Sequence, residues 1–517
     1  MNIRKLRQLT LPCLLAGITG LAQSQVPPGT EIRTPAAPAT PRVNGPSVFG
    51  VRPGSDFLYT IPATGQRPMT FAVKGLPEGL NLDPATGRIT GRLSKSGETR
   101  VTMRATNALG SAEKAFRIIC GPQIGLTPTL GWNSWNCWAG AVDQEKVLKS
   151  ARAMVNSGLA QHGWSYVNID DTWQGTRDPK TLALQSNERF PDMKKLCDEI
   201  HGMGLKAGIY SGPWVTTYAG FNGGSSDEPN GSWKGQKDFQ ANWRFGKYSF
   251  AVQDAQQWAR WGFDYLKYDW NPNDLPHTRE MSQALKSTGR DILYSLSNTA
   301  PIADGAAFAE LANSWRTTGD IWDTWDVSGP YQNSVSEIGF SQDPWTQFGG
   351  PGHFNDPDML VIGWVGWGPD LHSTRLTADE QYSHITLWCM LASPLLIGCD
   401  MDRLDPFTLN LLTNDEVLAI NQDALGRQGR RVKGQGPIDI YRKDLEDGGA
   451  ALGLFNRGDA PHTIHLKLDR IGFSGNLKVR DLWRQKDLGI LKIEGYPVQD
   501  FTVTIAPHSA ELFKVSQ

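Results

Sequence analysis

Between about Leu126 and Asp400 the sequence alternates short apolar runs, each ending in polar residues, with stretches of helical periodicity. That rhythm is the signature of parallel α/β architecture, because parallel strands need a long crossover between them. The runs read as strands ending at Trp132, Asp170, Gly212, Asp269, Asn298, Asp320, Met359 and Asp400. Helices are expected over Asp143–Leu159, Pro191–Gly204, Phe250–Gly262, His277–Thr288 and Thr377–Ser393. Eight units in roughly 300 residues is the size of a (β/α)8 TIM barrel. An open doubly wound sheet alternates in the same way, but no glycine-rich nucleotide loop follows the first strand, so the barrel is favoured.

One strand stands out. The run Tyr265-Leu266-Lys267-Tyr268-Asp269 ends with a lysine and an aspartate two residues apart, which a strand projects to the same side. Such a pair is poor core material, and it suits the C-terminal lip of a barrel, where active sites of this fold lie. Collecting the polar residues at the other strand ends gives Asp170 and Asp171, Tyr210, Ser297, Arg316 and Asp320, and Asp356 and Asp358. Carboxylates thus recur on four strands with only Lys267 and Arg316 as cations. These cations argue against a hard-metal site of aspartates, and His353 and His384 are isolated, so neither a metal nor a cofactor is expected. Paired carboxylates amid tryptophans are what glycoside hydrolysis requires, and the chain has 19 tryptophans, concentrated between Trp132 and Trp388.

The flanks have a different texture. Arg4, Lys5 and Arg7 precede an apolar run and the small-residue site Ala22-Gln23-Ser24, so residues 1–24 read as a cleavable signal peptide and the product as secreted or periplasmic. Residues 25–47 form a Pro/Thr-rich lead-in. Residues 48–121 carry short alternating strands, with Gly75, Gly79, Gly87 and Gly91 at turn positions, and resemble the Ig-like repeats of bacterial secreted proteins. The barrel is placed at 125–428, and 431–517 reverts to short strands, read as an antiparallel β-sandwich. With 51 basic and 53 acidic residues the net charge is −2, which gives no reason to expect a nucleic-acid or membrane partner, and no other stretch is apolar enough to span a bilayer. Apart from Cys13 in the leader, five cysteines remain, an odd and sparse set that allows at most one or two bridges.

In order along the chain, Leu-Gly-Trp-Asn-Ser-Trp from Leu130, Asp-Asp-x-Trp from Asp170, Leu-Lys-Tyr-Asp from Leu266 and Arg-x-x-x-Asp from Arg316 resemble glycoside hydrolase family 27. So do His-Phe-Asn-Asp-Pro-Asp-Met-Leu from His353 and Ala-Ile-Asn-Gln-Asp from Ala419. The family holds α-galactosidases and α-N-acetylgalactosaminidases. The resemblance implies a retaining mechanism with Asp269 as nucleophile and Asp320 as acid/base, the two carboxyl groups ~5–5.5 Å apart. Lys267 is expected to hold Asp269 ionised, and the charge of Asp269 to favour a proton on Asp320. The resemblance also places Asp170 and Asp171 on the O4 and O6 hydroxyls of galactose and Trp132 on the pocket floor. Tyr210, Lys267, Arg316, Asp358 and Met359 match further pocket positions.

The departures concern the sugar. Where many members have Cys-Glu-Trp after strand five, this chain has Leu296-Ser297-Asn298-Thr299-Ala300, and Ser297 and Ala300 reproduce the small residues of α-N-acetylgalactosaminidases. Asn271 and Tyr218 replace a family cysteine pair, and the insertion 223–245 reshapes the rim. The reading is a secreted exo-glycosidase acting on carbohydrates with terminal α-linked galactose. The alternatives are an α-N-acetylgalactosaminidase, a β-L-arabinopyranosidase or α-glucan-active member, and a catalytically silent sugar-binding protein.

Overall fold

The computed structural model describes residues 30–232, 238–326, 333–368, 370–493 and 500–517, so the leader assigned to residues 1–24 lies outside the described residues. From Val48 the chain forms two facing sheets, one of four strands and one of three, around Phe57, Tyr59, Phe71, Ile89, Met103 and Phe116. Two of the glycines are obligatory there. Gly79 and Gly91 both have positive φ, and a Cβ on Gly91 would lie 2.0 Å from the Gly79 carbonyl oxygen.

Eight parallel strands follow: β1 (Leu130–Asn133), β2 (Tyr166–Asn168), β3 (Lys206–Ser211), β4 (Tyr265–Asp269), β5 (Leu293–Ser297), β6 (Ser314–Arg316), β7 (Phe354–Asp356) and β8 (Leu395–Ile397). Each pairs with its sequence neighbour and β1 pairs with β8. The ring closes through a single parallel bridge between Leu360, beyond the end of β7, and Ile397 of β8. Three strands stop at least three residues short of those expected to end them. β7 ends at Asp356 because Asp358 turns to φ +84°, which breaks the extended run, and Asp400 caps a short helix instead of extending β8. β6 ends at Arg316, and Asp320 belongs to the loop beyond it.

The helices expected from the sequence are present, with ends set by capping. They are α1 (Gln144–Asn156), α2 (Met193–Gly202), α3 (Ala251–Trp261), α4 (Leu275–Ser287) and α5 (Ala378–Met390), among others. Asp143, Asp192 and Asp274 accept backbone N–H bonds at the starts of α1, α2 and α4, and Gly262 ends α3 in the left-handed region. Thr377 and Glu380 make a reciprocal capping box for α5. Every residue of α5 from Glu380 to Met390 is buried, because the helix lies between the barrel and the C-terminal sheet. Trp483 Nε1 donates to Thr386 Oγ1 at 2.9 Å, and Lys443 Nζ donates to the Ile420 carbonyl at 2.5 Å, fastening that six-stranded antiparallel sheet to the barrel.

The Ig-like module covers the N-terminal mouth of the barrel. Arg52 pairs with Asp291 at 2.6 Å, Thr60 Oγ1 donates to the Gly204 carbonyl at 2.9 Å and Arg88 donates to the Gly202 carbonyl at 2.6 Å. A cavity of about 620 Å³ remains in this seam, with Phe49, Tyr166 and Lys206 in its wall. The described cysteines, Cys120, Cys137, Cys197, Cys389 and Cys399, are all buried free thiols. Among the described residues no helix is long and apolar enough to cross a membrane.

Candidate active site

Pleating alone puts the polar residues of the strands inside the barrel. Tyr210 on β3 is in register with Lys267 on β4, which is in register with Ser295 on β5, and one step higher Asp269 pairs with Ser297. Side chains in register on parallel strands share a face, so Tyr210, Lys267, Asp269 and Ser297 converge. The alternate residues Ile209, Leu266, Tyr268 and Leu296 are buried in the shell outside the ring.

Asp269 is 9 % exposed and accepts two hydrogen bonds, from Tyr210 Oη to Oδ2 at 2.9 Å and from Asn298 Nδ2 to Oδ1. Burial pushes its carboxyl up to about 6 against the pull of Lys267, and the nearby Asp320 and Asp170 add to the rise. The expected depression by Lys267 exists but is outweighed. Lys267 Nζ instead donates to Asp170 Oδ2 at 2.9 Å, and Asp170 and Asp269 together hold the ammonium above the ordinary lysine value, against its burial.

Asp170 Oδ1 accepts from the Asp171 N–H at 2.9 Å. Asp171 accepts from the Thr172 N–H at 2.6 Å and the Ala219 N–H at 2.9 Å, and burial pushes it up to about 7. The two adjacent acceptors are thus fixed differently, Asp170 by a cation and one backbone amide and Asp171 by two backbone amides. Trp132, on β1, is fully buried and donates Nε1–H to the Cys399 carbonyl at 2.9 Å.

Across the mouth, Arg316 bridges Asp358 at 3.0 Å and Asp320 at 3.1 Å. Asp358 is buried, which raises its carboxyl against Arg316, and it accepts the Ile321 N–H at 2.9 Å. Asp320 has 59 % of its side-chain surface open, in contrast to the buried carboxyls around it. The protein around it works to raise it, but Arg316 and then Lys267 outweigh that and hold it below the usual carboxylate range. As the side chains stand, the proton preference is the reverse of the one expected: Asp269 is the weaker acid and Asp320 the stronger.

Met359, Ser297 and Ala300 are buried, and the Ala300 N–H donates to the Arg316 carbonyl at 2.9 Å. Three further residues join the site: Asn298 and Tyr218, which the sequence marks only as departures from the family pattern, and Asp356, a strand-end carboxylate given no role there. Asn298, in the left-handed region at φ +67°, turns its amide onto Asp269. Tyr218 lies close enough to Asp269 and Asp320 for both charges to raise its phenol, after burial as the larger cause. Asp356, whose carboxyl accepts the Asp358 N–H at 2.8 Å, is pushed up by burial to about 6. Asn298 had a sequence signal, as an asparagine where φ turns positive; Tyr218 had none beyond its position. Among the described residues no group of His, Cys, Asp or Glu is arranged to hold a metal ion.

Comparison with known proteins matches residues 127–243 and 235–423 to the family model for alpha galactosidase A. Residues 435–515 match the alpha galactosidase C-terminal beta sandwich domain, and residues 40–120 match an Ig domain model. The chain is similar to a probable alpha-galactosidase of Dictyostelium discoideum, 38 % identical over 71 % of this chain and 87 % of the relative. It is also similar to alpha-galactosidase 2 of Arabidopsis thaliana, 34 % identical over 78 % of this chain and 92 % of the relative. Among solved structures, a Bacteroides fragilis protein provisionally named an alpha-galactosidase superposes with a TM-score of 0.81 at 33 % identity, covering 93 % of this chain and 98 % of that one.

Proposed function

The chain belongs to the alpha-galactosidase A family and is a glycoside hydrolase of the α-galactosidase class, and on that premise we propose that it releases terminal α-linked galactose with retention, through Asp269 as nucleophile and Asp320 as acid/base. The observation that carries this reading is the opposed setting of the two carboxyls. Asp269 is enclosed and aimed by Tyr210 and Asn298, whereas Asp320 is open and sits on a loop.

In the first step an Asp269 oxygen bonds to C1 as the C1–O bond to the leaving group breaks, and the departing oxygen takes the proton of Asp320. In the second, Asp320 takes a proton from water, whose oxygen bonds to C1 while the Asp269 ester bond breaks. Asp320 must therefore carry a proton at the start, which its contact with Arg316 disfavours. The exposed side chain is free to turn from the guanidinium toward the glycosidic oxygen. Beside an ionised Asp269 its affinity for the proton then rises, the like-charge effect that makes two neighbouring carboxyls titrate as a pair.

Asp170 and Asp171 accept hydrogen bonds from O4 and O6, over Trp132. A site built to bond an axial hydroxyl rejects a sugar that misplaces it, since its buried acceptors are then left unpaired. The small side chains of Ser297 and Ala300 keep the 2-acetamido sugar as the rival substrate. The deciding assay compares nitrophenyl α-galactoside with its 2-acetamido counterpart and follows the first product by NMR. Faster cleavage of the galactoside with α-galactose released first is expected. A β-configured first product refutes retention, preference for the acetamido sugar refutes the galactose assignment, and cleavage of neither refutes the activity. Export through the leader at residues 1–24 belongs to the same proposal; a mature N-terminus near Gln25 is the expected mass-spectrometric result.

A further inference from the structure

A few large side chains on the loops beyond the strands stand open, among them Phe245, Tyr248 and Ile302, and one more stands open in a telling place. Among the described residues Trp322 is the only tryptophan counted among the exposed large hydrophobics, at 45 % exposure. It lies two positions beyond Asp320 on the same loop. Single exposed apolar residues are common and carry no message by themselves. Trp322 differs in being held rigid while exposed. Its backbone N–H donates to the Asn333 carbonyl at 2.8 Å, the Asn333 side chain donates in turn to the Asp320 carbonyl, and the intervening Ile321 is buried with its N–H on Asp358.

The indole also has a backing. Trp322 stacks on Trp367 with centroids 4.7 Å apart and planes 21° from parallel. Trp367 comes from the loop after β7, at the tip of the hairpin Trp364–Val365 with His372–Ser373. Its N–H and that of Gly366 both donate to the Asn136 carbonyl, at 3.2 and 3.0 Å, just beyond β1. The loops after β1, β6 and β7 are thereby locked together beneath one open indole face. A stack that buries one face of an indole and leaves the other in water is a platform for a flat apolar surface, and the C–H face of a pyranose is such a surface.

We propose that the outer face of Trp322, backed by Trp367, is the binding site for the leaving-group sugar, so that the enzyme selects galactose attached to another pyranose. This rests on the assignment of Asp320 as acid/base, because that residue contacts the scissile oxygen and so fixes the side from which the leaving group extends. Asp320 and the platform being two residues apart on one hydrogen-bonded segment, the leaving sugar that stacks on Trp322 also presents its oxygen to the acid.

The test compares two substrates in the parent, Trp322→Ala, Trp322→Tyr and Trp367→Ala: α-galactosyl fluoride, which has no sugar on the leaving side, and an α-1,6-linked galactosyl-glucose disaccharide. Nitrophenyl galactosides are unsuitable because their own ring stacks. Trp322→Ala is expected to lower kcat/KM on the disaccharide about tenfold, mostly through KM, the loss expected for one aromatic stacking contact. Fluoride turnover stays within about twofold, Trp322→Tyr recovers most of the loss, and Trp367→Ala gives an intermediate one. Equal losses on both substrates overturn the proposal, since they mean that Trp322 only supports the Asp320 loop. An unchanged disaccharide KM overturns it as well. If the parent hydrolyses neither substrate, the hydrolytic reading fails separately, and calorimetric titration of the disaccharide into parent and Trp322→Ala then decides the platform: equal affinity refutes it, weaker affinity in the variant supports it.

Discussion

Two lysines on adjacent strands, Lys206 at the start of β3 and Lys267 on β4, are enclosed at opposite ends of one barrel, and their environments push them in opposite directions. Lys267 faces Asp170 and Asp269 and is held above the ordinary lysine value. Lys206 faces the seam under the Ig-like module, where its Nζ lies 4.7 Å from the Phe49 ring centroid and 5.6 Å from that of Tyr166. Burial lowers it, and the carboxylates near enough to oppose this are committed elsewhere: Asp264 to His201 and Arg290, Asp291 to Arg52. Depth in the fold therefore does not decide in which direction the proton affinity of a buried lysine moves. The partner does, and only the end that carries the candidate chemistry supplies one.

The contrast can be broken most forcefully at its active end. Asp269→Ala is expected to cut turnover of α-galactosyl fluoride by about 10⁴-fold or more while the melting transition survives, the loss that removal of a nucleophile brings. Substantial residual activity in a properly purified sample defeats the assignment.

Matched substitutions of the lysines come next. Lys267→Met leaves Asp170 buried without its cation, a loss of about 3–5 kcal/mol in denaturant unfolding. Lys206→Met removes an ammonium that has no carboxylate within ion-pairing distance among the described residues, and stability at pH 7 should change by no more than about 1 kcal/mol, upward if at all. The sign follows from the lowered value: the cost of keeping Lys206 charged is present at neutral pH and fades as pH rises toward the ordinary lysine range. Equal losses at the two sites would mean that burial and not partnership governs both.

A third test separates function from stability at Asp269. Its carboxyl moves from the ordinary 3.8 to about 6, so the fold prefers it protonated; that stabilisation is complete below about pH 4 and lost as pH rises through 6. Asp269→Asn should consequently be more stable than the parent at pH 8 by about 2–3 kcal/mol, and no more stable at pH 4. A gain that does not depend on pH would point to packing instead. The smallest effect belongs to Asn298. Without its amide, Asn298→Ala should lose about tenfold in kcat and shift the acidic limb of the pH profile upward, because one donor to the ionised Asp269 is gone.

Much of the candidate catalytic end was legible in the sequence because strand periodicity is rigid. Once Lys267 and Asp269 were read on one strand, their shared face followed, and β3 and β5 confirmed it in register. Loops do not transmit such information. Asp320 was read as the end of a strand that stops at Arg316, and its pairing with that arginine reverses the proton preference expected from Lys267 beside Asp269 and Asp269 beside Asp320. The stacking of Trp322 on Trp367 joins loops 45 residues apart (367 minus 322) and has no local signature. The Ig-like module was recognisable from its turn glycines, but which end of the barrel it covers is decided by scattered pairs such as Arg52 with Asp291, to which periodicity is blind.

The segment before the Ig-like module is more than a lead-in. Arg33 is 9 % exposed; its guanidinium lies 4.1 Å from the Tyr382 ring centroid and bonds Asp379 at 2.9 Å and the Ala510 carbonyl at 3.0 Å. It thus clamps a barrel helix to the C-terminal sheet before the chain runs on into the Ig-like module. A closed circuit of this kind changes how the molecule comes apart. Its three units share one set of contacts, so heat should melt them in a single concerted transition, and cutting the strap should make that transition separate into steps.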